Sequence, residues 1–149
     1  EGNKSNICIP RGGLTQIITH TKGEPRGRLQ DPFLCKKTNL ETIKSLNGDK
    51  DFKVYGPDGQ VIEGSEAHLE FLANWFKEAS PKWKTNYLIE NELTNNKGEL
   101  RQWVTSGHEV TLTVDGEEVK FGQVIDARIS NGKVQMFYVT QRILAADEL

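Results

Sequence analysis

Two cysteines, one methionine and three histidines are all that this chain of 149 residues offers for thiol, thioether or imidazole chemistry. Cys8 and Cys35 stand at no zinc spacing from any histidine, so the usual structural zinc site is excluded. No run of about 18 apolar residues is present, which leaves no transmembrane helix and no membrane insertion by one. There is no apolar leader segment either. A nucleophile elbow and a phosphate-cradling glycine loop are both missing, and "RGG" at Arg11–Gly13 is only a flexible tripeptide. No cofactor is implied.

What remains is a chain with 36% hydrophobic and 27% charged residues, enough for one domain with a real core and too little for two. Its net charge of −2 is unevenly spread. Residues 1–37 hold seven Lys/Arg against three acids, a net of +4, so the rest carries −6. A basic arm is thus attached to an acidic body. It reads either as a docking arm for an acidic partner or as a loosely structured arm on its own domain. Nucleic acid is a poor partner, because the arm has almost no aromatics for base stacking and the body repels phosphate.

The arm is interrupted by Pro10, Gly12, Gly13, Gly23, Pro25, Gly27 and Pro32, and no long helix fits it. The domain is expected over residues 38–149. "NLETIKSL" spaces Leu40, Ile43 and Leu46 for a short helix with Asn39 as its cap. "DFKVY", "GPDG" and "QVIEG" read as a small hairpin. Ser65 can cap a second helix whose buried face carries Phe71, Leu72, Trp75, Phe76 and Ala79, with His68 one turn before them. Beyond Pro81, four long strand-like runs separated by "NNKG", "DG" and "NG" predict an antiparallel meander with the helices on one face. The class is α+β.

In order and spacing, the helix, "YGPDGQVIEG", "GSEAHLEFLANWF" and a meander ending "RISNGKVQMFYV" resemble the nuclear transport factor 2-like superfamily over about residues 39–143. The likeness is to its SnoaL-like and ketosteroid-isomerase-like branches. It implies a curved antiparallel sheet wrapped around helices into a cone, an apolar pocket inside, and often a homodimer through the sheet. Functions range from isomerases, cyclases and dehydratases to accessory subunits that dock to larger complexes, so fold alone decides little.

The steroid-isomerase branch has a carboxylate base before the turn proline, where this chain has Gly56 before Pro57. It also draws an oxyanion-binding tyrosine from a first helix, but "GRLQDPFLCKKT" contains none. Asp126 in "VIDARI" is a candidate for the remaining oxyanion donor. Anchoring on "RISNGKV" instead puts Ile125 there, and alternation then places Phe121, Ile125, Ala127 and Ile129 on one face with Asp126 and Arg128 on the other. His68 stands where the family usually has isoleucine or leucine. It is either a satisfied core residue or a polar handle that orients a ligand or acts as acid or base. Phe71, Trp75, Tyr55, Tyr87, Trp103 and Phe137 are its proposed companions in lining the pocket. His108 in "SGHEV" reads as a surface or interface residue, although SnoaL-like proteins often carry a histidine near that glycine. His20 carries no pattern.

The expected function is binding of a small apolar or aromatic molecule, with catalysis unsupported; the alternatives are an accessory subunit, or an isomerase, cyclase or dehydratase using His68 and Asp126. A homodimer or a hetero-partner is expected through a sheet face carrying Leu112, Val114 and Met136. The closing Ala146-Asp147-Glu148-Leu149 resembles a "K-D-E-L" retrieval tag. With the sequon Asn3-Lys4-Ser5 and a chain starting at Glu1, it suggests the lumen of the endoplasmic reticulum, cytoplasm or an organelle interior being the alternative. In that compartment Cys8 and Cys35, 27 residues apart, could pair, for about 3 kcal/mol of stabilisation.

Overall fold

A computed structural model of the chain describes residues 39–149. The basic arm, His20 and the Cys8–Cys35 pair lie outside the described residues. Helix α1 spans Asn39–Leu46, followed by strands β1 (Lys53–Tyr55) and β2 (Val61–Glu63), helix α2 (Ser65–Ala79) and four strands: β3 (Lys82–Thr94), β4 (Leu100–Val114), β5 (Glu117–Ser130) and β6 (Lys133–Ile143). A single 3-10 turn, Ala146–Glu148, follows. No helix among the described residues is long and apolar enough to cross a membrane.

The strands form one six-stranded sheet in the order β2-β1-β6-β5-β4-β3. The β3 to β6 meander is antiparallel as expected. Its turns follow from residues that tolerate positive φ: Asp115–Gly116 at 52° and 80°, and Asn131–Gly132 at 53° and 71°, the signature of a tight hairpin. The sheet as a whole is mixed rather than antiparallel, because β1 runs parallel to β6, pairing Val54 with Phe137. The chain crosses over through α2 and the meander and comes back beside β1 in the same direction.

Both helices cover one face, here called inner. Val54, Val104, Ile125, Ala127, Ile129, Val134 and Phe137 point into it with Phe52 and form the main core. A second cluster joins Ile43 of α1 to Leu72 and Phe76 of α2. The buried stripe of α2 is His68, Leu72, Phe76 and Ala79, at the spacing of one helical face. It is narrower than expected: Phe71 is 39% exposed. Ser65 does not cap the helix. Gly64, at φ 90°, makes the entry without a side-chain cap, and the Ser65 hydroxyl instead accepts a bond from Asn47.

Two irregularities tune the strands. Pairing of β3 with β4 skips Asn86, so Thr85 faces His108 while Tyr87 faces Gly107. Pairing of β5 with β6 skips Gln135. Leu112 and Val114 fall two and four residues beyond the fully buried Val110, hence on the inner face. Leu112, Val114 and Met136, expected to share one sheet face, are therefore split, and Met136 alone lies on the outer face, opposite Arg128.

Candidate functional site

The inner face holds two buried polar groups. The first ties α1, α2 and β6 together. Asn47, 2% exposed, ends α1 and bridges to Val134 of β6 through the backbone. Its Nδ2 donates to Ser65 Oγ at 3.1 Å and lies 3.1 Å from His68 Nδ1. Since an amide nitrogen can only donate, Nδ1 accepts and the ring proton belongs on Nε2. The His68 ring is clasped by Phe52 and Phe137, with centroids 5.3 and 5.5 Å away. Burial lowers its pKa to about 4, so the imidazole is neutral at pH 7.

The second group lies on β3, β4 and β5. His108 is expected at the surface, but it shares the face of Val104, Ser106 and Val110, which is the covered one, and is 3% exposed. Its Nδ1 lies 3.1 Å from Thr85 Oγ1 and its Nε2 2.7 Å from Ser106 Oγ, which in turn reaches the Ile125 carbonyl at 3.4 Å. One arrangement of protons satisfies all three contacts: Thr85 donates to Nδ1, Nε2–H donates to Ser106, and Ser106 donates to Ile125. In that arrangement the serine proton points away from the imidazole. Directly across from His108 on β5 is Gln123, whose Oε1 accepts from the Trp83 indole at 3.0 Å. Burial lowers the His108 pKa to about 4 as well. Among the described residues no carboxylate is bonded to either histidine, and no cluster fit to hold a metal ion occurs.

The remaining residues expected at the pocket separate into groups. Phe137 joins His68. Phe71 and Trp75 stack on α2, and Trp75 meets Trp83 edge-on at 5.2 Å. Tyr55 and Trp103 are on the outer face, where both pack on Tyr138, at 5.0 and 6.2 Å. Tyr87 is also outside, its ring lying over Gly107 so closely that a Cβ there would come within 2.2 Å of it. Asp126 pairs in register with Tyr138, faces outward and accepts from Thr105 Oγ1 at 2.6 Å. His68 and Asp126 thus stand on opposite sides of the sheet. Sequence patterning does not single out Trp83, Thr85, Ser106 or Asn47. Gln123 does leave a signal, since it is the polar member of an alternation with Ile125, Ala127 and Ile129.

On the outer face Gly107 and Gly122 leave a groove of about 180 Å³, bordered by Tyr87, Val124, Thr140, Arg142 and Leu144. Glu148 closes one end, gripped by both terminal nitrogens of Arg142 and by the Ala145 amide. Those bonds hold its carboxyl at about 2, well below the ordinary range.

No protein-family model matches the chain. A UPF0231 protein of Serratia proteamaculans (strain 568) is 43% identical over 63 residues, 41% of this chain and 52% of that protein, so the chain spans about half the length of the curated relative it matches. Solved structures are similar over more of the chain. An LEH-like epoxide hydrolase of M. tuberculosis superposes with a TM-score of 0.56 at 12% identity, over 70% of this chain and 71% of that one. A SnoaL-like polyketide cyclase from Jannaschia sp. CCS1 gives 0.52 at 16%, over 71% and 74%. An NTF2-like protein of unknown function from Cytophaga hutchinsonii gives 0.56 at 9%, over 88% and 98%. At such identities the likeness is one of fold: an α+β cone, with helices on the inner face of an open mixed sheet. This chain has the nuclear transport factor 2-like fold.

Proposed function

We propose that the chain binds a small, largely apolar molecule on the inner face of its cone and does not transform it. The observation that supports this reading is the polar group of Thr85, Ser106, His108 and Gln123, set on the covered side of three adjacent strands among Trp83, Val110 and Ile125. A few polar groups in an apolar concavity are what fixes a ligand's orientation. Catalysis is left out because an acid–base mechanism needs positioned, titratable partners, while both histidines here are neutral and without a carboxylate among the described residues. Thermal denaturation with and without a panel of steroids, aromatic polyketide-like compounds and fatty molecules tests the reading. At least one should raise Tm, as binding to the native state must; no shift across the panel overturns it.

The outer face favours a second, compatible reading, that of a homodimer through the sheet. Tyr138 and Ile89 are 46% and 50% exposed there, beside Tyr55, Trp103 and Met136. An apolar outer face of that kind suits a partner surface, whether a second copy or, in an accessory role, another protein. Light scattering at micromolar concentration should give twice the 16.8 kDa chain mass; a single-chain mass overturns the homodimer.

A further inference from the structure

Gln123 is bonded at one end of its amide and, among the described residues, not at the other. Its Oε1 is tied to the Trp83 indole, and no bond from its Nε2 is formed among the described residues. An indole N–H donates and never accepts, so Trp83 decides which end of the amide is which: the oxygen is held, and the NH₂ is presented. The residue is 6% exposed, between the apolar side chains of Ile125 and Phe121 on its own strand and His108 across from it. With Ser106 donating to the Ile125 carbonyl and His108 Nε2–H to Ser106, the imidazole and serine protons are both taken. Among the described residues, the Gln123 amide NH₂ is a donor of the inner polar group that forms no bond.

We infer that Gln123 is a ligand-contacting residue of the cone and Trp83 its positioning residue, so that the bound molecule is uncharged and carries a hydrogen-bond acceptor such as a ketone, ester or amide carbonyl. This rests on the cone being a binding site. The restriction to neutral molecules follows from the surroundings. Among the described residues no charged side chain takes part in the polar group, and an anion or cation placed there would lose its hydration for two N–H bonds at most. A purely apolar ligand would in turn leave the buried amide unpaired.

Three probes of one shape, with phenol beside them as a hydrogen-bond donor, test it on the full chain, read by calorimetry: acetophenone, with a carbonyl; ethylbenzene, without one; and benzoate, with a charge. Acetophenone should bind about tenfold more tightly than ethylbenzene, the worth of one hydrogen bond, and benzoate no better than ethylbenzene. In Gln123→Met, of similar size, the preference of acetophenone over ethylbenzene should vanish. In Trp83→Phe the amide is free to turn, so the preference for acetophenone over phenol, a donor, should shrink. A merely structural role for Trp83 would weaken both probes alike. Equal binding of acetophenone and ethylbenzene to the parent chain overturns the inference and leaves the cone a binding site. So does a preference that survives in Gln123→Met, a variant that keeps the inference testable if Trp83→Phe does not fold. Failure of acetophenone and ethylbenzene alike to bind overturns both.

Discussion

His68 and His108 are buried to the same degree, share a lowered pKa of about 4 and protonate the same ring nitrogen, yet they stand in different kinds of surroundings. Around His68 are two phenyl rings and an asparagine that is itself fastened to a helix and a strand. That imidazole behaves as a core residue, and its bond to Asn47 serves to lock three elements together. Around His108 are two hydroxyls and, across the strand, an amide with capacity to spare. Burial and pKa therefore do not separate a histidine that serves packing from one beside the proposed ligand site. The uncommitted neighbour does.

Acid is the strongest way to test how alike the two are. In the unfolded chain both histidines titrate near 6.5; in the folded chain they do so near 4. Between those values the unfolded state holds more protons, so stability is fully present above pH 6.5 and is lost as the pH falls toward 4. The loss is at most about 1.4 kcal/mol per pH unit for each ring. Urea denaturation at pH 7, 5.5 and 4.5 should show that slope in the parent, and His68→Leu should remove up to half of it. An unchanged slope in His68→Leu would mean that the Asn47 amide turns over and welcomes the proton.

At pH 7 the same His68→Leu change should cost about 1–3 kcal/mol, because the buried Asn47 NH₂ loses one of its two acceptors and keeps Ser65 alone. Ligand binding by the cone should not change. A loss of ligand affinity without a loss of stability would exchange the two roles. Gly107→Ala disturbs the strand next to His108 from the outer side, forcing the Tyr87 ring away, at about 1–3 kcal/mol. Adding Tyr87→Ala should restore part of it, and a double-mutant cycle by urea denaturation measures how much. The smallest effect is expected from Thr85→Val, which keeps the shape but removes the donor to His108 Nδ1, at about 0.5–1.5 kcal/mol. Nitrogen chemical shifts of His108 should then report a changed Nδ1 environment, and those of His68 should stay where they are.

Much of this architecture is legible in the amino-acid pattern alone. The four long strands announce themselves through period-two alternation and through Asp115–Gly116 and Asn131–Gly132, where few residues but these accept positive φ at low cost. The same alternation puts Ile125 inward and Asp126 outward, as the folded sheet has them. Sites are harder, because a side chain's role depends on which strand lies alongside. Tyr55, Tyr87 and Trp103 look like pocket residues by type, but alternation cannot tell an inner from an outer face until a neighbouring helix covers one of them. The skip at Asn86 reverses the phase of β3 and carries Tyr87 to the side opposite Thr85. Nothing in "KTNYL" announces it. His108 escapes the pattern for a related reason: alternation groups it with Val104 and Val110, but does not say that their face is the covered one.

The position of β6 between β1 and β5 has a consequence for how the molecule is made. The sixth strand in sequence is third in space, and Val134 and Phe137 on it belong to the main core. On a ribosome, the β1–β2 hairpin emerges roughly 70 residues before the strand that will hold it, and α2 emerges with its buried stripe still uncovered by Phe137. The β3–β4–β5 meander can pair as it appears, each hairpin closing on the one before. The two halves can join into a single sheet only once β6, which lies between them, has been released. A nascent chain halted before Lys133 should therefore expose apolar surface on both sides of the missing strand, in the state most open to aggregation or to chaperone capture.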